Sequence, residues 1–267
     1  MLLHGLASQR RFWNLVVLHL SGLPLLALDQ RGHGESERPD SGYDTATVTR
    51  DVATAVDALG WHRVVLIGHS WGALTALSLA AAEPERVVAV ACIDGGFGGL
   101  AKSASRDELR EMLTPPRIAL PPDELRALLR NSMPWWSAEV ERAVLPGFVV
   151  GPDGLVRSRL PFEQHMQVVD SILDSEAASV FAAVRCPAWL VSAEPVAAMR
   201  ASVEGEPAVW ADAKAAGLAA AAEGLAQPRL FRWAGAVHDV PLQWPALVAG
   251  LVRTVADESI EGGGSGD

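Results

Sequence analysis

Two cysteines in 267 residues, Cys92 and Cys186, are too few for a disulfide framework. Both fall in apolar, strand-like segments and read as small core side chains. Positive charge is scarce as well: 22 Lys and Arg against 32 Asp and Glu leave a formal net charge of −10. Such a balance offers little to displace counterions from phosphates, which argues against nucleic acid as a partner. No apolar run reaches membrane-spanning length, and no basic-then-apolar leader opens the chain. The default expectation is a cytoplasmic protein with no membrane partner; the oligomeric state stays open. What remains is ordinary globular material, 49% hydrophobic and 20% charged, enough for one large α/β domain or a core with an insertion.

The most informative stretch is Val64-Val65-Leu66-Ile67-Gly68-His69-Ser70-Trp71-Gly72-Ala73. An apolar β-branched run leads into a G-x-S-x-G turn, and an alanine- and leucine-rich helix follows. That strand–turn–helix setting is what gives the motif meaning. Gly68 and Gly72 supply the small neighbours that a nucleophile on a strained turn requires, because backbones pass close together there. The turn presents the Ser70 hydroxyl at the carboxyl edge of a sheet, with a helix N-terminus aimed at any anion formed beside it.

Around this turn, short apolar runs alternate with helix-length segments, the pattern of a mostly parallel sheet with helices on both faces. Strands are expected at Leu23–Asp29, Val64–Gly68, Val87–Asp94, Ala188–Ala193 and Leu230–Trp233. Helices are expected at Thr45–Leu59, Trp71–Glu83, Ala208–Gly224 and Leu242–Val255. Gly60 suits the position after one helix, and Pro84 stops another. From 95 to 177 the rhythm changes. Paired prolines at 115–116 and 121–122 bracket short amphipathic pieces, and Gly151-Pro152-Asp153-Gly154 reads as a turn between arms 148–150 and 155–157. This segment is expected to be an inserted cap between core parts 1–94 and 178–257, with 258–267 a flexible tail. Trp135, Trp136 and His165 are its candidate substrate-binding residues.

Three further segments join Ser70. Leu3-His4-Gly5-Leu6-Ala7-Ser8 resembles the H-G-x oxyanion loop of α/β-hydrolases. Asp29-Gln30-Arg31-Gly32-His33-Gly34-Glu35-Ser36 resembles their D-x-R-G-x-G-x-S turn, and Gly235-Ala236-Val237-His238-Asp239 resembles the loop carrying their catalytic histidine. The match runs in order over almost the whole chain and is weakest in the cap. It implies a capped serine hydrolase of the α/β-hydrolase fold, with Ser70 as nucleophile, His238 as general base, and the backbone N–H groups of Leu6 and Trp71 as oxyanion donors. An unassisted serine hydroxyl needs such a base at neutral pH. Relatives usually carry two strands before the oxyanion strand, whereas this chain begins inside it. The expected result is an exposed edge at Leu23–Asp29.

The third triad member has two candidates. After the strand ending at Ala193, Val196 stands where many relatives place an aspartate, and Glu194 is displaced by two positions. Asp94 ends its own buried strand, where other relatives carry the acid. Such a carboxylate is costly to desolvate unless partnered. Asp94 is the preferred acid and Glu194 the alternative; Asp239 adjoins His238 too closely in sequence to orient its ring. Among the other histidines, His4 reads as a structural hydrogen-bonding residue, His33 as packing in a turn and His69 as shaping the nucleophile turn. His19 and His62 read as ordinary surface or core residues. No histidine pair has metal-ligand helical spacing, so no metal or cofactor is expected.

The resulting expectation is hydrolysis of a carboxylic ester or lactone, with a small and apolar acyl substrate. Serine at position 70 argues against haloalkane dehalogenases and epoxide hydrolases, which resemble this fold but use aspartate there. Cofactor-free haloperoxidase and C–C hydrolase chemistry need the same triad. A ligand-binding or sensory protein with little turnover is the alternative of another class.

Overall fold

The computed structural model describes residues 1–98, 105–196 and 208–261. Its strands in chain order are β1 (Leu2–Leu3), β2 (Ala27–Leu28), β3 (Val64–His69), β4 (Val87–Ile93), β5 (Phe148–Val150), β6 (Val156–Ser158), β7 (Ala188–Glu194) and β8 (Pro228–Ala234). Six of them form one sheet in the order β2-β1-β3-β4-β7-β8, while β5 and β6 pair with each other as an antiparallel hairpin whose Val156 also bridges Leu120. Every link in the large sheet is parallel, as in Leu3 beside Gly68, Gly68 beside Cys92 and Val191 beside Phe231. All six strands therefore end on one edge, and the loops that follow them emerge together.

Strand alternation builds a core on each face of the sheet. Val64 and Leu66 of β3, Val90 and Cys92 of β4, and Ala188 and Leu190 of β7 bury into one cluster. That cluster is closed by α2 (Thr45–Ala58), α3 (Trp71–Ala82), α8 (Ala177–Ala183) and α9 (Ala208–Gly224). Ile67, Ala89, Ala91, Ile93, Trp189 and Val191 point to the other face. There they meet Phe12 and Trp13, Val16 of α1 (Asn14–Val17), and α11 (Pro245–Glu261). The sheet is thus covered on both sides, which explains why its central strands read as continuous apolar runs.

Local chemistry marks the helix ends. Asp44 accepts from the Thr47 N–H at 2.8 Å to cap α2, and Gly60 adopts φ +66° just past its end. Pro245 divides the expected closing helix into α10 (Val240–Gln243) and α11, because it lacks an N–H and restrains Trp244 before it. Helix α11 also runs through Glu261, where a tail was expected from residue 258; residues 262–267 lie outside the described part.

The largest departure is at Leu23–Asp29. Only Ala27 and Leu28 are strand, since the partner β1 is itself two residues long and Pro24 has no N–H to give. Leu23 and Leu25 pack instead against the α11-side core. As expected, β2 lies at the sheet edge.

Between β4 and β7 run α4 (Arg106–Leu113), α5 (Pro122–Ser132), α6 (Ala138–Val144), the hairpin and α7 (Phe162–Leu173). Helix α7 is tied to α4 by the Arg110–Asp170 pair at 2.8 Å, and its Ser171 Oγ accepts from the Thr45 N–H of α2 at 2.8 Å. The β5–β6 arms fall within one residue of their expected places.

Candidate active site

Ser70 stands between the end of β3 and the start of α3 with φ +53° and ψ −120°, a region that side-chain-bearing residues rarely occupy. Such strain costs roughly 1–3 kcal/mol and persists only where surroundings dictate it. Those surroundings are backbone. A Cβ on Gly68 would overlap Gly72 and Ala73, one on Gly72 would overlap Leu3 and His4, and one on Gly95 would overlap Ser70 itself. Among the described residues, the non-glycine residues with positive φ are Ala7, Ser70 and Asp94, and all three lie on the loops leaving this edge of the sheet.

The loop after β8 brings His238 to Ser70. Its Nε2 lies 3.0 Å from Ser70 Oγ, and its Nδ1 lies 2.7 Å from Asp94 Oδ2. With Nδ1 donating to the carboxylate, Nε2 is left as an acceptor facing the hydroxyl. The Asp94 side chain is 0% exposed, whereas that of His238 is 49% exposed. Asp94 also accepts from the Ala193 N–H at 2.8 Å. Burial pushes the Asp94 carboxyl up, but hydrogen bonding to His238 and the charges of His238 and Lys214 outweigh this, leaving it at about 2. Burial likewise pulls His238 down, yet Asp94 holds it above its ordinary value.

Three other histidines hold the loops in place. His4 Nε2 accepts from the Gln30 N–H at 3.1 Å while Nδ1 donates to the Gly5 carbonyl at 2.8 Å. His33 does the same between Ala7 N–H, at 3.1 Å, and the Arg31 carbonyl, at 2.8 Å. His69 donates from Nε2 to the His238 carbonyl at 2.8 Å and stacks on Phe12 with ring centroids 4.9 Å apart. Burial lowers His4 to about 4 and His69 to about 3, and holds His33 well below the imidazole range. His19 and His62 are exposed.

Of the two expected oxyanion donors, Trp71 directly follows Ser70 in the chain. Trp71 opens α3, so its N–H belongs to the first turn, which has no intrahelical acceptor. Leu6 follows Gly5, whose missing side chain lets the loop lie against Ser70 Cβ. The Trp71 ring itself is buried with Tyr43, Leu74, Leu160 and Val168.

The alternative acid, Glu194, is turned elsewhere: it pairs with Arg232 at 3.0 Å. Asp239 caps the start of α10 without a side-chain cap bond, and burial raises its carboxyl. Trp135 and Trp136 pack against the core cluster that holds Phe12, Val140 and Val240. His165 is buried on α7 and lowered by burial to about 4. None of these three has a polar contact with Ser70 or His238 among the described residues. Lys214 of α9, which sequence reasoning passed over, contacts Asp94 directly, with Nζ 2.9 Å from Oδ1. Its one legible signal was rarity, as one of two lysines in the chain.

The family profile described as "alpha/beta hydrolase fold" matches residues 1–149. The 2-(acetamidomethylene)succinate hydrolase of Mesorhizobium japonicum is 35% identical over 92 residues, 34% of this chain and 33% of that protein. Lipase LipV of Mycobacterium tuberculosis is 35% identical over 125 residues, 47% of each chain. The matches thus span between a third and a half of these curated relatives. A crystal structure of E-2-(acetamidomethylene)succinate hydrolase superposes with TM-score 0.73 at 23% identity, covering 96% of this chain and 90% of that one. At that identity the likeness speaks for the fold.

Proposed function

Since the chain belongs to the α/β-hydrolase family, we propose that it is a serine hydrolase cleaving a carboxylic ester or lactone through an acyl-enzyme on Ser70. The observation that carries this reading is the hydrogen-bonded line from Ser70 Oγ to His238 at 3.0 Å and on to Asp94 at 2.7 Å. A hydroxyl, a base and an orienting carboxylate in that order are the parts nucleophilic acyl transfer needs.

In the first half-reaction Ser70 Oγ bonds to the substrate carbonyl carbon while its proton passes to His238 Nε2. The oxyanion of the tetrahedral intermediate takes hydrogen bonds from the Leu6 and Trp71 N–H groups, each of which is worth roughly 2.7–4 kcal/mol in such sites. The C–O bond to the leaving group then breaks, and imidazolium returns the proton to that oxygen. In the second half, water gives a proton to His238 as its oxygen bonds to the acyl carbon; the bond to Ser70 Oγ then breaks, and the imidazolium returns the proton to that oxygen. Asp94 keeps the imidazole in the Nδ1–H tautomer and faces its positive charge throughout. The same reading takes 95–177 as a cap insertion, with Trp135, Trp136 and His165 as its candidate contacts to an apolar small-molecule acyl substrate.

A fluorophosphonate probe tests the reading. Covalent labelling of the wild-type protein that disappears in Ser70→Ala is the expected result. A folded wild-type protein that resists labelling at millimolar probe for hours would overturn it in favour of a binding protein.

A further inference from the structure

Catalytic carboxylates of this kind usually face one cationic partner, the imidazolium that forms during reaction. Asp94 faces two. Besides His238, it meets the Lys214 ammonium, whose Nζ lies 2.9 Å from Oδ1 and 3.2 Å from Oδ2. The same ammonium donates to the Ala193 carbonyl at 2.9 Å, and the Ala193 N–H donates to Asp94 at 2.8 Å. Helix α9 is thereby clamped to the end of β7 with the carboxylate between them. The Lys214 side chain is 20% exposed and that of Asp94 is 0% exposed, so solvent screens this pair little.

Resting on the triad reading above, we propose that Lys214 is a positioning residue whose ammonium pins the Asp94 carboxylate and opposes the build-up of charge on His238. Asp94 and Lys214 together are neutral before any chemistry begins, so the imidazolium forms beside an ion pair rather than beside a bare buried carboxylate. A carboxylate already shared with an ammonium is a weaker acceptor for the Nδ1 proton. His238 is then a weaker base toward Ser70 and, once protonated, a stronger acid toward the leaving group.

The groups acting on His238 come from every element around it. Asp94 at the end of β4 and Asp239 on its own loop favour its charged form, and Lys214 on α9 disfavours it. His69 on β3, with its ring 4.8 Å away, is itself held neutral by burial. Glu194 and Arg232, on the ends of β7 and β8, are paired with each other at 3.0 Å.

The test compares wild type with Lys214→Met, Lys214→Gln and Lys214→Arg. Met removes charge and hydrogen bonds, Gln removes the charge but can still donate, and Arg keeps the charge. Two readouts are followed from roughly pH 5 to 9: NMR titration of the His238 ring without substrate, and the rate of fluorophosphonate labelling. Loss of the ammonium is expected to move both midpoints up by about one pH unit in Met and Gln, with Arg close to wild type. If the midpoints of Met and Gln stay at the wild-type value while labelling slows equally at every pH, Lys214 is only a structural tie and the proposal fails. Should Met fail to fold, Gln and Arg alone still decide the matter. Absence of labelling in the wild type, with the His238 titration still moving in the variants, would sink the hydrolase reading and leave the electrostatic coupling standing.

Discussion

Asp94 and Glu194 have the same chemical group and both end a strand of the same sheet, yet only Asp94 lies against His238. Glu194 is one residue past Ala193, whose N–H is bound to Asp94, and its own carboxylate is occupied by Arg232. Asp94→Asn is therefore expected to lower kcat for a p-nitrophenyl ester by roughly 10³–10⁴-fold through loss of the correct tautomer and of charge stabilisation. Glu194→Gln should stay within a few-fold of wild type, because it disturbs only a partly exposed ion pair. Steady-state kinetics on both variants, at matched stability, check this. Comparable losses in the two would show that neither carboxylate orients the base.

The turn from β3 into α3 behaves as a unit with the loop after β4. Gly68 and Gly72 were legible as the small residues of the turn, whereas nothing local singled out Gly95. Its missing side chain makes room for the backbone of Ser70, from a segment far away along the chain. Gly95→Ala would force a methyl group into that backbone, which cannot give way as a flexible side chain would. A destabilisation of about 1–3 kcal/mol is expected, together with loss of labelling at Ser70, because the strained φ of +53° depends on that contact. Urea denaturation and the labelling rate report the two effects separately. An unchanged midpoint with full labelling would show that the loop after β4 does not hold the turn. Helix periodicity, by contrast, was readable without any tertiary information. The expected Thr45–Leu59 and Trp71–Glu83 segments differ from α2 and α3 by a single residue at their C-termini. The failure at Leu23–Asp29 has the opposite cause, since a strand exists only as far as its neighbour pairs with it.

Four buried histidines make the whole molecule sensitive to acid. Burial lowers His4 and His165 to about 4 and His69 to about 3, and His33 falls further below the imidazole range. Each stays neutral in the folded protein while the unfolded chain takes up a proton near pH ~6.5. Between that point and about pH 4 the unfolded state thus binds more protons, so stability falls as pH is lowered, by at most ~1.4 kcal/mol per pH unit for each group. Asp94, depressed to about 2, adds stability that is present above the ordinary carboxylate range and is lost as pH falls through 2. His238 is raised, so its contribution runs the other way and fades above the ordinary imidazole value. Denaturant midpoints taken at half-unit steps from roughly pH 7.5 to 5 should drop with growing slope below pH ~6.5. A flat profile over that range would contradict neutral burial of these rings.

By itself, the sequence determined what short windows of chain encode: the alternation of strand and helix, the steric demand of the G-x-S-x-G turn, and the family to which Ser70 and His238 pointed. The first two follow from side-chain periodicity and backbone sterics acting over about ten residues, and the family from the resemblance of a few short motifs. Only the tertiary structure decided which carboxylate meets His238, that a lysine shares it, and that His4, His33 and His69 hold loops together. Those contacts join residues 26 to 169 positions apart. A buried charge acquires its partner only when distant segments converge on the same edge of the sheet, and no local pattern records that convergence.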